Sequence, residues 1–179
     1  THTTSSAASD VYKRQGNDSS KVQKLKDLYS DFEAEILITD PISSQLIKYL
    51  ANTYLPLRLS FVNEAARLVN SSGGNLDDVL KGVGMDSRIG QHYFRPSPAW
   101  GGSCFPKDVV EVNNFYDSEE VNLPLIANII ESNKIQTQWT AKMLKSIHNE
   151  KKLSGIILVG AAFKEDTDDL RNSPTIDIY

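Results

Sequence analysis

The longest regular pattern of apolar positions predicts a single helix over residues 41–72. Asp40 followed by Pro41 is a helix start signal, with a capping side chain and a first-turn proline in the right order. Small and apolar residues then recur at steps of four and three, which is the spacing of one helical face. That face comprises Ile42, Leu46, Leu50, Tyr54, Leu57, Phe61, Ala65 and Leu68. Gly73 and Gly74 end the pattern, and Pro56 within it is expected to kink the helix.

A second apolar row covers another side of the later half of this helix, at Leu55, Leu59, Val62, Ala66 and Val69. A helix that is apolar on two sides needs a partner on each. We therefore expect one side to pack within its own domain and the other against a second subunit. The simpler alternative is a helix buried entirely in the core of one domain.

The rest of the chain alternates between shorter helical and strand patterns. Helices are predicted after Ser20, over residues 75–81, from Phe105 and from Pro124, and Ser173–Pro174 is expected to open another; strands are predicted at residues 35–39 and 156–159. The first helix and strand read as the tail of one α/β unit. The apolar run Ile156–Ile157–Leu158–Val159, typical of a strand buried on both faces, reads as the opening of a second. Residues 1–16 are rich in Ser, Thr and Ala without periodicity, and we expect a disordered leader.

Composition narrows the functional classes. The 179 residues carry a net charge of −4, which disfavours nucleic acid or an anionic membrane as a partner. No apolar run is long enough for a membrane span and no signal peptide is recognisable, so we expect a cytoplasmic protein. The three histidines, His2, His92 and His148, form no ligand set with the single cysteine, so no metal is predicted.

The single cysteine, Cys104, stands in the segment Gly101–Gly102–Ser103–Cys104–Phe105–Pro106–Lys107–Asp108. The glycine pair permits a sharp turn and close approach of another group, and Pro106 fits the first turn of a helix. A thiolate at a helix N-terminus beside a lysine is stabilised by the dipole and the charge. Asp108 follows one turn later and is expected to serve the same cavity. The alternative is a lone buried cysteine without chemistry, but such a residue needs no glycine pair before it and no Pro–Lys–Asp after it.

Lys48 and Asn52 share one face of the long helix because they are four residues apart. An ammonium and an amide together suit an oxyanion or a phosphate. Most such pairs are ordinary solvated surface, so the pair alone predicts little.

Taken together, these segments resemble the UDP-glucose/GDP-mannose dehydrogenase family in order and approximate spacing from residue 35 to 179. The motifs that carry the resemblance are Ile47–Lys48–Tyr49 with Asn52, Phe61–Val62–Asn63–Glu64, Asp86 with Arg88–Ile89–Gly90, the cysteine segment, and Phe163–Lys164 with Thr167–Asp168–Asp169–Leu170–Arg171 and Ser173–Pro174. The cysteine segment is the most specific of them.

The resemblance implies an α/β chain dominated by a central all-helical dimerisation domain with a long kinked helix, flanked by the end of one Rossmann-like domain and the start of another. The implied division is residues 17–40 for the end of the NAD-binding domain, 41–150 for the central dimerisation and catalytic domain, and 151–179 for the start of the nucleotide-sugar domain. A homodimer through residues 41–72 follows. The chain would be a fragment, inactive by itself because most of the NAD domain lies outside it.

The resemblance also implies the chemistry. NAD would oxidise the sugar C6 alcohol twice, through a thiohemiacetal and a thioester on Cys104, to a uronic acid. The implied catalytic residues are Cys104, Lys48, Asn52 and Asp108, with the lysine and asparagine also binding substrate. Arg88 would reach the nucleotide sugar bound to the neighbouring subunit. Gly101, Phe163 and Lys164 would complete the substrate contacts, and Lys107 and Arg171 would lie on the cofactor side.

The sugar is less well specified than the family. Ala99 stands where the family usually has glycine and resembles the GDP-mannose branch, whereas Trp100 and residues 167–171 look more like bacterial UDP-glucose enzymes. UDP-glucose is favoured, with UDP-N-acetylhexosamines and GDP-mannose as alternatives. Two other classes remain open: a cysteine hydrolase, which would need a histidine partner, and a noncatalytic dimerisation module.

Overall fold

The computed structural model describes residues 11–15, 19–30, 35–118 and 121–179. These residues are mostly helical. The elements, in chain order, are β1 (Val11–Gln15), α1 (Ser19–Leu28), β2 (Glu35–Thr39), α2 (Pro41–Ser72), α3 (Leu76–Gly84), α4 (Phe105–Ser118), α5 (Pro124–Ala127), α6 (Ile129–Lys151) and α7 (Pro174–Ile178). By internal packing the chain divides into residues 1–51 and residues 52–179, with α2 crossing the boundary.

The first unit contains a two-stranded parallel sheet. β1 and β2 pair in register, with Val11 opposite Glu35 and Gln15 opposite Thr39. The predicted strand at residues 35–39 and the helix after Ser20 are confirmed. Within the segment expected to be a disordered leader, residues 11–15 form β1 and pair with β2. Residues 1–10 and 16 lie outside the described residues.

Helix α2 has 32 residues and the predicted bounds. It ends where Gly73 adopts a φ of 71°, and the N–H of Gly74 donates to the carbonyl of Val69 at 3.2 Å. Pro56 is buried inside the helix, and the kink expected there stays a prediction.

The two apolar rows of α2 have different surroundings. In the second row Val62, Ala66 and Val69 are buried, so this is the side that packs within the chain. The first row is largely exposed, at Ile42, Leu50, Tyr54, Phe61 and Leu68. The sequence pattern predicts both rows but does not say which one faces the core.

Two clusters form the core of the second unit. One joins α2 to α3 through Val62, Leu80 and Phe94. The other joins α4 to α6 through Trp100, Val109 and Ile129. Helix α3 begins as predicted, with the Asn75 side chain accepting the N–H of Asp78 at 3.1 Å. The helix predicted from Pro124 is split at Asn128 into α5 and α6.

Residues 156–159 do not form the predicted strand. Ile157 is 87% exposed and Val159 93%. The reason is that a strand buried on both faces needs neighbouring strands, and the described residues place none beside it. The helix opened by Ser173–Pro174 is confirmed as α7.

None of the helices in the described ranges is both long and apolar enough to cross a membrane.

Candidate active site

Cys104 lies immediately before α4, as predicted. The helix begins at Phe105, and its first turn is closed by the N–H of Asp108, which donates to the Cys104 carbonyl at 2.9 Å. The thiol is exposed, and its sulfur lies 3.7 Å from the Ser103 hydroxyl. An exposed thiol at a helix N-terminus is accessible to a substrate and faces the positive end of the dipole.

The glycine pair before the cysteine is required by two close approaches. A Cβ on Gly101 would lie 1.9 Å from the carbonyl oxygen of Asn172, and a Cβ on Gly102 would lie 2.8 Å from the Phe163 ring. Gly102 also has a φ of 94°, which side chains rarely adopt. Its N–H donates to the Arg171 carbonyl at 3.1 Å, and its carbonyl accepts the Asn172 amide at 3.0 Å. The cysteine segment is thereby joined to residues 163–172.

Trp100, just before the glycine pair, is held by hydrogen bonds with α2 and α6. The Asn133 amide spans its backbone: the Trp100 N–H donates to Oδ1 at 3.0 Å, and Nδ2 donates to the Trp100 carbonyl at 2.8 Å. The buried indole N–H donates to the Ser60 hydroxyl at 2.9 Å. Because both backbone groups and the side chain are held, the loop enters the cysteine segment in one conformation.

The loop upstream of Trp100 is held by side chains of two helices. From α2, the Asn63 amide oxygen accepts the Ser97 N–H at 2.8 Å. From α6, the Gln136 amide donates to the Ser97 carbonyl at 2.8 Å and the Thr140 hydroxyl donates to the Pro98 carbonyl at 2.9 Å. These buried side chains replace the backbone partners that an irregular loop lacks.

Asp108 is buried at the base of the site, with its side chain 1% exposed. The Asn52 amide donates to its Oδ2 at 2.6 Å, and the Lys107 ammonium donates to Oδ1 at 2.5 Å. The structure thus brings together three of the predicted site residues. A buried carboxylate with two such donors is paired as a buried charge has to be.

The Arg171 side chain is held by Asp169. Its Nε and Nη2 donate to the two carboxylate oxygens at 2.8 and 2.6 Å. These hydrogen bonds lower the pKa of Asp169 to about 2, so the carboxylate stays charged into strong acid. The pKa of Arg171 is raised, mainly by Asp169 and to a smaller extent by the charge of Cys104.

Arg88 is preorganised in a similar way on the loop of residues 86–90. Its Nε and Nη2 donate to the Asp86 carboxylate at 3.0 and 2.6 Å, and these bonds lower the pKa of Asp86. The Arg88 side chain is nevertheless 87% exposed. The arginine therefore presents an ordered cation to solvent.

Lys48, Phe163 and Lys164 are the remaining predicted residues. Lys48 belongs to the first unit, where its ammonium lies 4.8 Å from the centroid of the Tyr49 ring. The Lys164 ammonium lies 5.7 Å from the centroid of the Phe163 ring, whose edge lies against Gly102. The roles of Lys48, Phe163 and Lys164 stay predictions.

Sequence reasoning missed the side chains that hold the cysteine loop. Buried polar residues interrupt the apolar faces of α2 at Ser60 and Asn63 and of α6 at Gln136 and Thr140. Polar residues at inward positions of a helix are the signal that was available. The sequence does not say which loop they bind.

Comparison with known proteins places this site in a family context. Residues 42–135 match the family described as UDP-glucose/GDP-mannose dehydrogenase, central domain. A UDP-glucose 6-dehydrogenase of Rickettsia felis is 38% identical over 146 residues, which are 81% of this chain and 33% of that relative. The chain spans about a third of the length of the curated relatives it matches.

Two solved structures extend the comparison. A UDP-glucose dehydrogenase from the hyperthermophilic archaeon Pyrobaculum islandicum superposes with a TM-score of 0.82 at 31% identity, over 94% of this chain and 39% of that one. The UDP-N-acetyl-mannosamine dehydrogenase Cap5O of Staphylococcus aureus superposes with a TM-score of 0.69 at 27% identity, over 90% of this chain and 38% of that one.

Proposed function

The chain belongs to the UDP-glucose/GDP-mannose dehydrogenase family, and from that membership we propose that the protein containing it is an NAD-dependent nucleotide-sugar 6-dehydrogenase. The observation that carries the proposal is the exposed thiol of Cys104 at the start of α4, with the buried carboxylate of Asp108 one turn later. Both residues lie inside the segment that matches the family's central domain. The substrate alcohol would be oxidised twice, to a carboxylate.

UDP-glucose is the proposed substrate. The Rickettsia felis relative and the Pyrobaculum islandicum structure, both named for UDP-glucose, are 38% and 31% identical to the chain. The Staphylococcus aureus enzyme named for UDP-N-acetyl-mannosamine is 27% identical. A UDP-N-acetylhexosamine is accordingly the second candidate, and GDP-mannose the third.

Cys104 would act as the nucleophile. Its thiolate adds to the C6 aldehyde produced by the first oxidation and forms a C–S bond in a thiohemiacetal. The second oxidation converts this adduct to a thioester, and attack of water then breaks the C–S bond to release the carboxylic acid and the thiol. The exposure of the sulfur and its position at the helix N-terminus support this role.

Asp108 would handle the protons of the hydrolysis through a water molecule. The hydrogen bond from Asn52 fixes one carboxylate oxygen of Asp108. Asn52 would thus have two roles, this hydrogen bond and the predicted contact with the oxyanion. Lys48 would supply positive charge for the oxyanion.

NAD would supply the hydride acceptor for both oxidations when bound. The exposed guanidinium of Arg171 and the half-exposed ammonium of Lys107 are compatible with its phosphates. Each cation is also paired with a carboxylate of the chain. Lys107 and Arg171 would therefore contribute to cofactor binding without fully neutralising the charge of its phosphates. The main cofactor contacts are proposed to come from a Rossmann-like domain whose end is residues 17–40.

The same proposal covers assembly and location. Residues 41–150 would form the central domain, residues 151–179 would begin the nucleotide-sugar domain, and two copies would pair through the exposed row of α2. The enzyme would work in the cytoplasm. Residues 156–159 would become a strand only beside the other strands of that domain.

The Cys104→Ser variant of the full-length protein tests the covalent route. We expect uronate production to fall by about a thousandfold or more, because a serine hydroxyl is a far weaker nucleophile than a thiolate. The measurement is uronate formed and NADH released per enzyme, beside a Ser146→Ala control on the exposed face of α6. Uronate production by Cys104→Ser near the wild-type rate would rule out the covalent route. Rapid hydrolysis of a thioester by the wild-type protein without NAD would favour a cysteine hydrolase.

A further inference from the structure

The loop of residues 86–90, called here the Arg88 loop, is ordered internally by Asp86. The Asp86 carboxylate accepts the Arg88 backbone N–H at 2.9 Å as well as its guanidinium, and the Asp86 carbonyl accepts the N–H groups of Ile89 and Gly90 at 2.9 Å each. All of these bonds lie within the loop. They fix the shape of the loop but not its position on the rest of the protein.

Arg58 supplies the connection to α2. Its Nη2 donates to the Ile89 carbonyl at 2.6 Å and to the Gly90 carbonyl at 2.7 Å. The two acceptors directly follow Arg88 in the chain. A guanidinium holds two adjacent carbonyls with a geometry that a single neutral donor cannot reproduce.

The other side of Arg58 is fixed by the core. Its guanidinium carbon lies 5.3 Å from the centroid of the Phe94 ring, and Phe94 belongs to the buried cluster with Val62 and Leu80. A cation over an aromatic face is attracted to it and restrained in its plane. Arg58 therefore lies between the rigid core and the Arg88 loop.

One feature of Arg58 is unfavourable for stability. Its Nε is buried and has no hydrogen-bond partner among the described residues. Buried donors are nearly always paired, and an exception calls for an explanation. The unpaired Nε indicates that the side chain is placed by its two carbonyl contacts rather than by an optimal packing of its own.

We propose that Arg58 is a positioning residue for substrate binding: it fixes the Arg88 loop to α2 and thereby sets where the exposed Arg88 guanidinium meets the nucleotide sugar. The inference rests on the proposed function, in which Arg88 binds that substrate. Among the described residues, Arg58 hydrogen-bonds the loop and lies over the Phe94 ring, so we expect its effect on binding to pass through Arg88.

The hold on the loop is tested first, without any assay of activity. Trypsin cleaves after the exposed Arg88, and we expect Arg58→Met to accelerate that cut about tenfold, because the loop loses its two anchors while the apolar stem over Phe94 is kept. Arg58→Lys should be intermediate, since an ammonium lacks the planar fork. Arg67→Met is the matched control: Arg67 is on the same helix and bonds an amide oxygen, that of Gln136, away from this loop. Circular dichroism verifies that each variant is folded.

Binding is tested in the full-length enzyme with UDP-glucose. Arg58→Met should raise KM about tenfold and change kcat less than twofold, with Arg58→Lys restoring part of the difference. In an Arg88→Met background the same change at Arg58 should have no further effect on KM, because the group that it positions is gone.

The possible results separate the inference from the function. A wild-type rate of cleavage after Arg88 in Arg58→Met, or a KM effect that persists in full without Arg88, would overturn the positioning role. If Arg88→Met leaves KM unchanged, Arg88 does not bind the substrate and the binding half of the inference fails with it. If the Cys104→Ser test rules out the covalent route, the proteolysis result still stands, because cleavage after Arg88 is measured without any assay of activity.

Discussion

Asp108 and Cys104 are one helical turn apart and yet lie in opposite environments. The thiol is exposed, while the carboxylate is buried and accepts hydrogen bonds from Asn52 and Lys107. A carboxylate removed from water depends on its remaining donors, and deletion of one of them leaves a buried charge incompletely paired. Asn52, which lies on another helix, therefore contributes to the environment of Asp108.

Gly102 combines a close approach with a positive φ, two constraints that only glycine satisfies together. We expect Gly102→Ala to destabilise the chain by about 2 kcal/mol, because the added methyl meets the Phe163 ring and the residue must keep a positive φ. The melting temperature would then fall by roughly 4–8 °C for a chain of this size, as measured by circular dichroism.

Gly155→Ala is the matched control for that substitution. A Cβ at Gly155 has nothing within 4 Å, so the expected change is about 1 kcal/mol or less and in the stabilising direction. Equal effects of the two substitutions would mean that Phe163 does not contact Gly102 in solution.

At the scale of elements, the cysteine loop is held between two helices. Helix α2 contributes Ser60 and Asn63, and helix α6 contributes Asn133, Gln136 and Thr140. Each helix alone would leave part of the loop without partners. The loop geometry is thus a property of the pair of helices and of the core cluster between them.

Asn133 is the decisive contact of α6. Asn133→Leu removes both partners of the Trp100 backbone at nearly constant volume, and we expect a loss of about 2–4 kcal/mol from two part-buried groups left unpaired. In the full-length enzyme kcat should fall more than KM rises, because the loop delivers the reacting thiol. Stability is measured by urea unfolding.

Asn128→Ala provides the comparison, since its amide donates to the Pro124 carbonyl in an exposed position. It should cost less than about 1 kcal/mol. A loss of stability in Asn133→Leu no larger than that in Asn128→Ala would contradict the role assigned to Asn133.

The sequence pattern predicts those elements whose signals are local. The bounds of α2 follow from Asp40–Pro41 and Gly73, and the start of α4 follows from Pro106. The strand predicted at residues 156–159 does not form, because an apolar run becomes a buried strand only if other strands lie beside it. β1 is the converse case, since its order comes from β2 and not from its own residues. The hydrogen bonds between Asn133 and the Trp100 backbone join residues that are 33 positions apart, which no local pattern encodes.

For the whole molecule, the exposed row of α2 is the feature that calls for a partner. Leu68 is 66% exposed and Tyr54 is 57% exposed, whereas Val62, Ala66 and Val69 of the second row are buried. Apolar surface aligned along a long helix is characteristic of an interface. This agrees with the proposed homodimer.

The dimer is tested with Leu68→Glu. A charge within an apolar interface should dissociate the dimer, because the carboxylate would be buried without a partner. Sedimentation velocity at a series of concentrations gives the dissociation constant, which we expect to rise at least a hundredfold. Met85→Glu is the control, because Met85 is exposed to a similar degree but lies outside α2. Dissociation by Met85→Glu alone would place the interface elsewhere.

The bonds between Gly102 and residues 171–172 also set an order of events during synthesis. Gly102 leaves the ribosome 70 residues before Asn172, whose amide it needs. At about 5–20 residues per second the cysteine segment waits on the order of 4–14 seconds for these partners. Phe163 and Arg171 are made only in the last part of that interval, after α4 and α6, so until then the glycine pair lacks its contacts with residues 163–172. A nascent chain halted before residue 172 would therefore present Cys104 without the close contacts that distinguish it in the folded protein.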